Sequence, residues 1–151
     1  MKYFLEVPKM TDLSLTINEV VHAPIEKVFD AWLDPYTLSK FIIPMKGMPE
    51  PAVENDPRVG GRFSIIMNFE GNSLPHEGSY LEIDRPHKLK FTWVSDHSPE
   101  GSTVTLVFAS LEAGKTEVQL THVKFFDEAA MHDHKGGWTT ILETLDEYFA
   151  S

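Results

Sequence analysis

Seven histidines and no cysteine set the chemical repertoire of this chain. Without thiols there are no disulfides, no thiolate metal sites, no iron–sulfur clusters and no Cys nucleophile. The sequence holds no G-x-S-x-G, no H-E-x-x-H and no Walker A loop. Gly60-Gly61 lacks the spacing and the strand-to-helix setting of a dinucleotide loop, and reads as a bend that starts a curved strand. His132-Asp133-His134 invites a metal reading. Two positions along a helix, however, turn a side chain by roughly 200°, so the pair cannot easily share an ion. His132 is therefore expected to face solvent. His134 lies four residues before Trp138, on one helical face, and His122 continues the inward parity of Val118 and Leu120. Both are expected between a sheet and a helix, either as hydrogen-bonded structural histidines or as polar contacts for a ligand. His22, His76, His87 and His97 fall at predicted loops or strand ends and are expected to be exposed.

General acid–base work needs a carboxylate or imidazole in a dry site with a shifted pKa. Inward strand positions supply almost none. Asp133, Glu143, Asp146 and Glu147 fall on the polar face of the last helix. Glu77, ahead of a predicted strand, is the one carboxylate placed to reach a cavity mouth. No catalytic residue is assigned, and an enzyme is the weaker reading.

These side chains must be positioned by few elements, because the chain has 151 residues. That fits one domain over 1–151 with a core from about 12 to 150. The formal charge of −10 works against nucleic acid and against anionic membrane surfaces. No stretch approaches the apolar length of a membrane span. The start lacks the apolar core of a signal peptide, so a cytoplasmic location is expected.

Leu13, Leu15 and Ile17 alternate with polar residues, the period of a strand. Pro24 suits the first position of a helix whose face carries Ile25, Val28, Phe29 and Trp32. Asp34-Pro35 starts a second helix, with Leu38, Phe41 and Ile42 as its stripe. The proline-rich stretch from Met45 to Pro57 reads as an irregular loop, with a short edge strand near Val53 and with Met45 and Met48 as parts of a lid. Alternation then returns at Phe63, Ile65, Met67 and Phe69, at Tyr80 to Asp84, at Leu89, Phe91 and Trp93, at Val104, Leu106 and Phe108, and at Val118 to His122. Short turns between them predict an antiparallel meander. From Asp127 the period becomes three and four, through Met131, His134, Trp138, Ile141, Leu142, Leu145 and Phe149, which predicts one long helix over 128–149. Phe126 and Met131 have the spacing of a hydrophobic staple. Gly136-Gly137, inside that helix, is read as letting it sit tightly on the sheet.

In this order the chain resembles the activator-of-Hsp90-ATPase homologues, within the START/Bet v 1-like superfamily of helix-grip proteins. The resemblance rests on APIEKVFDAWLDP at 23–35, VGGRF at 59–63, GSYLEID-P at 78–86, LKFTW at 89–93, TVTLVF at 103–108, TEVQLTH at 116–122 and HKGGW at 134–138. It implies an α+β fold: a curved seven-stranded antiparallel sheet around a long C-terminal helix, with two short helices after the first strand. Where many members have a Trp before the loop proline, this chain has Phe41 in KFIIP. Eukaryotic members stimulate a chaperone ATPase, with help from a further domain, in the stress response. Wider relatives include lipid carriers and cyclases.

The expected function is therefore binding of a small apolar or aromatic ligand between the sheet and the last helix, by a monomer or homodimer with no cofactor and no metal. Trp32, Phe41, Phe63, Trp93, Phe108 and Trp138 fall on predicted inward faces, as core or as cavity wall. Ile65, Met67 and Ile141 would extend such a wall, with Met131 as a further adaptable surface. Tyr80, His122 and His134 would orient the guest. The alternatives are a regulator of a chaperone ATPase acting through its surface, and a cyclase-like enzyme.

Overall fold

The computed structural model describes residues 13–151. The elements run β1 (Ser14–Val21), α1 (Ile25–Ala31), α2 (Pro35–Phe41), β2 (Ala52–Asn55), β3 (Arg62–Phe69), β4 (Asn72–Asp84), β5 (Lys88–Thr92), β6 (Thr103–Glu112), β7 (Lys115–Val123) and α3 (Glu128–Ala150). The seven strands form one antiparallel sheet in the order β1-β7-β6-β5-β4-β3-β2. The expected helix-grip architecture is what the chain adopts.

Local chemistry explains most boundaries. The Asp34 side chain accepts from the Thr37 amide at 3.0 Å, and Pro35 follows at the first helical position. Asp127 accepts from the Ala130 amide at 2.8 Å and so caps α3. Pro24 takes the cap position of α1 rather than its first turn, with φ −62° and ψ 148°. Glu70 and Gly71 both have positive φ, at 51° and 80°, which closes β3 onto β4 in a two-residue turn.

One strand is longer than the sequence pattern predicts. The periodicity marks Tyr80 to Asp84, whereas β4 begins at Asn72 and runs through Pro75. The Glu77 amide donates to Val94 O at 2.9 Å, so β4 faces β5's continuation at that point. Pro75 looks the same way two residues earlier, beyond the point where that neighbour turns off at Ser95. No donor is needed there, and proline is tolerated.

The interior is aromatic. Phe29 meets Phe108 with ring centroids 5.2 Å apart, and Trp32 meets Phe41 at 4.9 Å. Phe63 contacts Phe91 edge-on at 5.4 Å. A Cβ on Gly78 would lie 2.6 Å from the Phe63 ring and 2.0 Å from Thr92 O, so only glycine permits this crossing of β4. Trp138, Ile141, Leu142 and Leu145 form the buried stripe of α3. The glycines of α3 do not press on the sheet as expected. Gly137 lies against Pro44, to which an added Cβ would come within 3.2 Å, and Gly136 faces open space. Among the described residues no helix is long and apolar enough to cross a membrane.

Candidate functional site

A cavity of about 860 Å³ opens at the N-terminal half of α3. That volume lies within the range of small-molecule sites. Its walls come from four places: Pro44, Met45 and Met48 after α2; Met67, Phe69, Leu74 and His76 at the ends of β3 and β4; Trp93, Asp96 and His97 after β5; and Phe126, the cap Asp127 and one side of α3 as far as Ile141. The Trp93 and Trp138 rings form the floor, with centroids 4.9 Å apart and planes inclined by 57°. His76 lies 4.9 Å from Trp93, its ring tilted by 37°.

Of the residues singled out in the sequence, Met67, Trp93, His134, Trp138 and Ile141 come together on this wall. Trp32, Phe63, Ile65 and Tyr80 do not; they surround an internal space of only about 10 Å³, shared with Trp93. Phe41 and Phe108 are buried in the packed core. Met131 packs against that core, and half-exposed Phe126 takes the wall position instead. Glu77 points to solvent, 3.8 Å from Arg62, and does not reach the cavity. His76 is the residue sequence reasoning misplaced: expected to be exposed, it is 8% exposed. Leu74, His76, Gly78 and Tyr80 share one parity, and tracing Tyr80 back along the strand would have found it.

The histidines are linked to the scaffold by directed hydrogen bonds. The indole N–H of Trp138 can only donate, and it lies 2.9 Å from His122 Nδ1. His122 therefore carries its proton on Nε2 and donates it to Ser102 Oγ at 2.6 Å. A serine so close to an imidazole resembles an activated nucleophile, but this tautomer gives Ser102 a proton instead of taking one. Burial pushes the His122 pKa down to about 3, with a smaller effect from His134. His122 is fully buried and off the cavity wall, so it braces β7, Ser102 and α3.

His134 is bonded in the opposite sense. Its Nδ1–H donates to Ala130 O at 2.7 Å, leaving Nε2 to accept from Ser98 Oγ at 2.9 Å. The loop after β5 is thereby fastened to α3. Burial lowers the His134 pKa, against the backbone bond. His76 donates from Nδ1 to Leu74 O at 3.0 Å, and burial lowers its pKa to about 4. Both imidazoles are neutral at physiological pH. Trp32 Nε1 and Trp93 Nε1 are buried with no partner among the described residues. His132 stands exposed at the mouth. Among the described residues no three His, Asp or Glu side chains converge as metal ligands.

Residues 22–150 match the family model described as activator of Hsp90 ATPase homolog 1-like protein. The chain belongs to that family. Among solved structures, this AHSA1-like chain is similar to an Hsp90 activator from Plasmodium falciparum, with 29% identity, TM-score 0.73, and 91% of this chain and 96% of that one covered. It is also similar to CalU16 from Micromonospora echinospora, at 27% identity and TM-score 0.66 over 89% of this chain and 74% of that one. A Chromobacterium violaceum protein shares the fold, at 24% identity and TM-score 0.77 over 89% and 95% of the two chains. No curated protein matches the chain.

Proposed function

We propose that this AHSA1-like chain binds a small apolar or aromatic molecule in the cavity between its sheet and α3. The observation that carries the reading is the cavity of about 860 Å³, floored by paired tryptophans and bordered by Met45, Met48 and Met67. Thioether side chains adapt to irregular guests, and Met45 is half exposed at the mouth, where it can act as a lid. Burial of the guest contributes roughly 25 cal/mol per Å² of apolar surface. Both ring nitrogens of His134 are already bonded, so His76, which lines the cavity beside Trp93, supplies the polar contact that orients it.

The test is a fluorescence titration with N-phenyl-1-naphthylamine, a neutral apolar probe. Wild type is expected to bind it, and Trp93→Ala or Trp138→Ala to weaken binding at least tenfold. Gly136→Leu is the companion variant, because its side chain enters open space and fills the cavity without displacing the core. Binding unchanged in all three would refute the reading.

A second reading is favoured by the Plasmodium relative, which is an Hsp90 activator. There the surface of the chain carries function by stimulating a chaperone ATPase. Hsp90 turnover measured with and without the protein separates the two: no stimulation and no complex removes this reading and leaves the first.

A further inference from the structure

We propose that the cavity selects a guest whose apolar body carries a positively charged group, an amine above all, and rejects the carboxylate of the same shape. This rests on the ligand-binding reading above. The aromatic and thioether floor sets the need for an apolar body. The charge selection comes from the mouth. Asp96, Asp127 and Asp133 are exposed there, on two neighbouring elements that the Ser98–His134 bond holds together: the loop after β5 and the start of α3. Among the described residues that line the cavity there is no Lys and no Arg. An anionic guest would thus find no cation to pair with, whereas an ammonium would meet carboxylates from two elements.

The other polar groups do not reverse this preference. His76 and His134 are held neutral by burial. The N-terminal end of α3, which would attract an anion, is already occupied by its own cap: Asp127 accepts from the Ala130 amide, and Asp127 O from the Met131 amide at 3.1 Å. Glu128 adds a further negative charge in that first turn. Behind the mouth, Trp93 and Trp138 put aromatic rings in the cavity wall, a surface that accepts a cation more readily than an anion. Exposed pairs are individually weak, so the three carboxylates and two rings together are expected to favour an amine over its alcohol by roughly tenfold at low salt.

The experiment uses one skeleton with three head groups: naphthylethylamine, naphthylethanol and naphthylacetate, each displacing N-phenyl-1-naphthylamine from the full chain. At pH 8, above the ordinary histidine range, the amine keeps its charge. The expected order is amine tightest, alcohol roughly tenfold weaker and carboxylate weakest. The spread should shrink in 0.5 M salt, since exposed charges are screened. It should also collapse in Asp96→Asn/Asp133→Asn, but persist in Glu26→Gln/Glu112→Gln, which removes two surface acids that do not line the cavity. Alcohol binding without that order overturns the charge inference and leaves the ligand-binding reading intact. A spread equally reduced in both double variants assigns it to the overall charge of the chain and also overturns the inference. Failure of every compound, the neutral probe included, overturns the ligand-binding reading itself.

Discussion

Acidification from pH 7 to pH 5 should destabilise this protein by about 4 kcal/mol through two buried imidazoles alone. His76 titrates near 4 and His122 near 3 in the folded chain, against 6.5 for an ordinary histidine. Burial, which penalises the charged ring, is the main cause of both shifts. The folded pKa values lie below the unfolded ones, so the unfolded chain takes up protons first. The stability these residues contribute is therefore complete above about pH 6.5 and is lost as pH falls toward the folded values. Each pH unit in that window is worth about 1.4 kcal/mol per group. Over the 1.5 units between 6.5 and 5, each histidine loses about 2 kcal/mol. His134, with its pKa also lowered by burial, adds to the loss with the same sign. Set against a total stability of about 5–15 kcal/mol, the effect is large. Acidification also relieves the repulsion implied by a net charge of −10, so the informative quantity is a difference between proteins. Urea unfolding followed by tryptophan fluorescence should be run at pH 7, 6 and 5 on wild type and on His76→Phe. The stability gap between them should move by about 2 kcal/mol in favour of the variant at pH 5. Parallel curves would refute the reasoning.

Three further outcomes follow from the same packing. Trp138→Phe should cost about 1–3 kcal/mol more than Trp93→Phe, because it strands the buried His122 Nδ1, whereas the Trp93 N–H has no partner to lose; equal midpoint losses in denaturant melts would contradict this. Gly136→Ala should stabilise by about 1 kcal/mol, since α3 gains helix propensity and the new methyl enters open space, while Gly137→Ala should gain less against Pro44; thermal melts of both decide it. Asp34→Ala should cost about 1 kcal/mol by removing the α2 cap, with Asp34→Asn retaining most of the stability; equal losses in the two variants would show that the cap bond is not the cause.

Much of this architecture was legible because one face of each element is apolar. Period two from Phe63 to Phe69 and period three-to-four from Met131 to Phe149 gave both the strands and α3. Cap chemistry at Asp34 and Asp127 gave the helix starts. What the pattern concealed was the first half of β4, where Pro75 and Gly78 weaken the strand signal although the chain's course keeps both satisfied. His76 was misplaced with it. The inward parity of Trp32, Phe63, Ile65 and Tyr80 was also legible, but parity marks the concave face and not which part of it stays open. That division depends on how far α1 and α2 reach over the sheet. They fill the space above Phe63 and Tyr80 and leave the far ends of β3 and β4 uncovered, so Phe69, Leu74 and Phe126 join the wall.

The most direct measurement is a crystal structure of the protein grown with N-phenyl-1-naphthylamine. The probe should lie against Trp93 and Trp138, with Met67 beneath it and Met45 or Met48 drawn over the mouth. Probe density confined to the outer surface, or an interior closed by the methionines with no guest inside, would contradict the account.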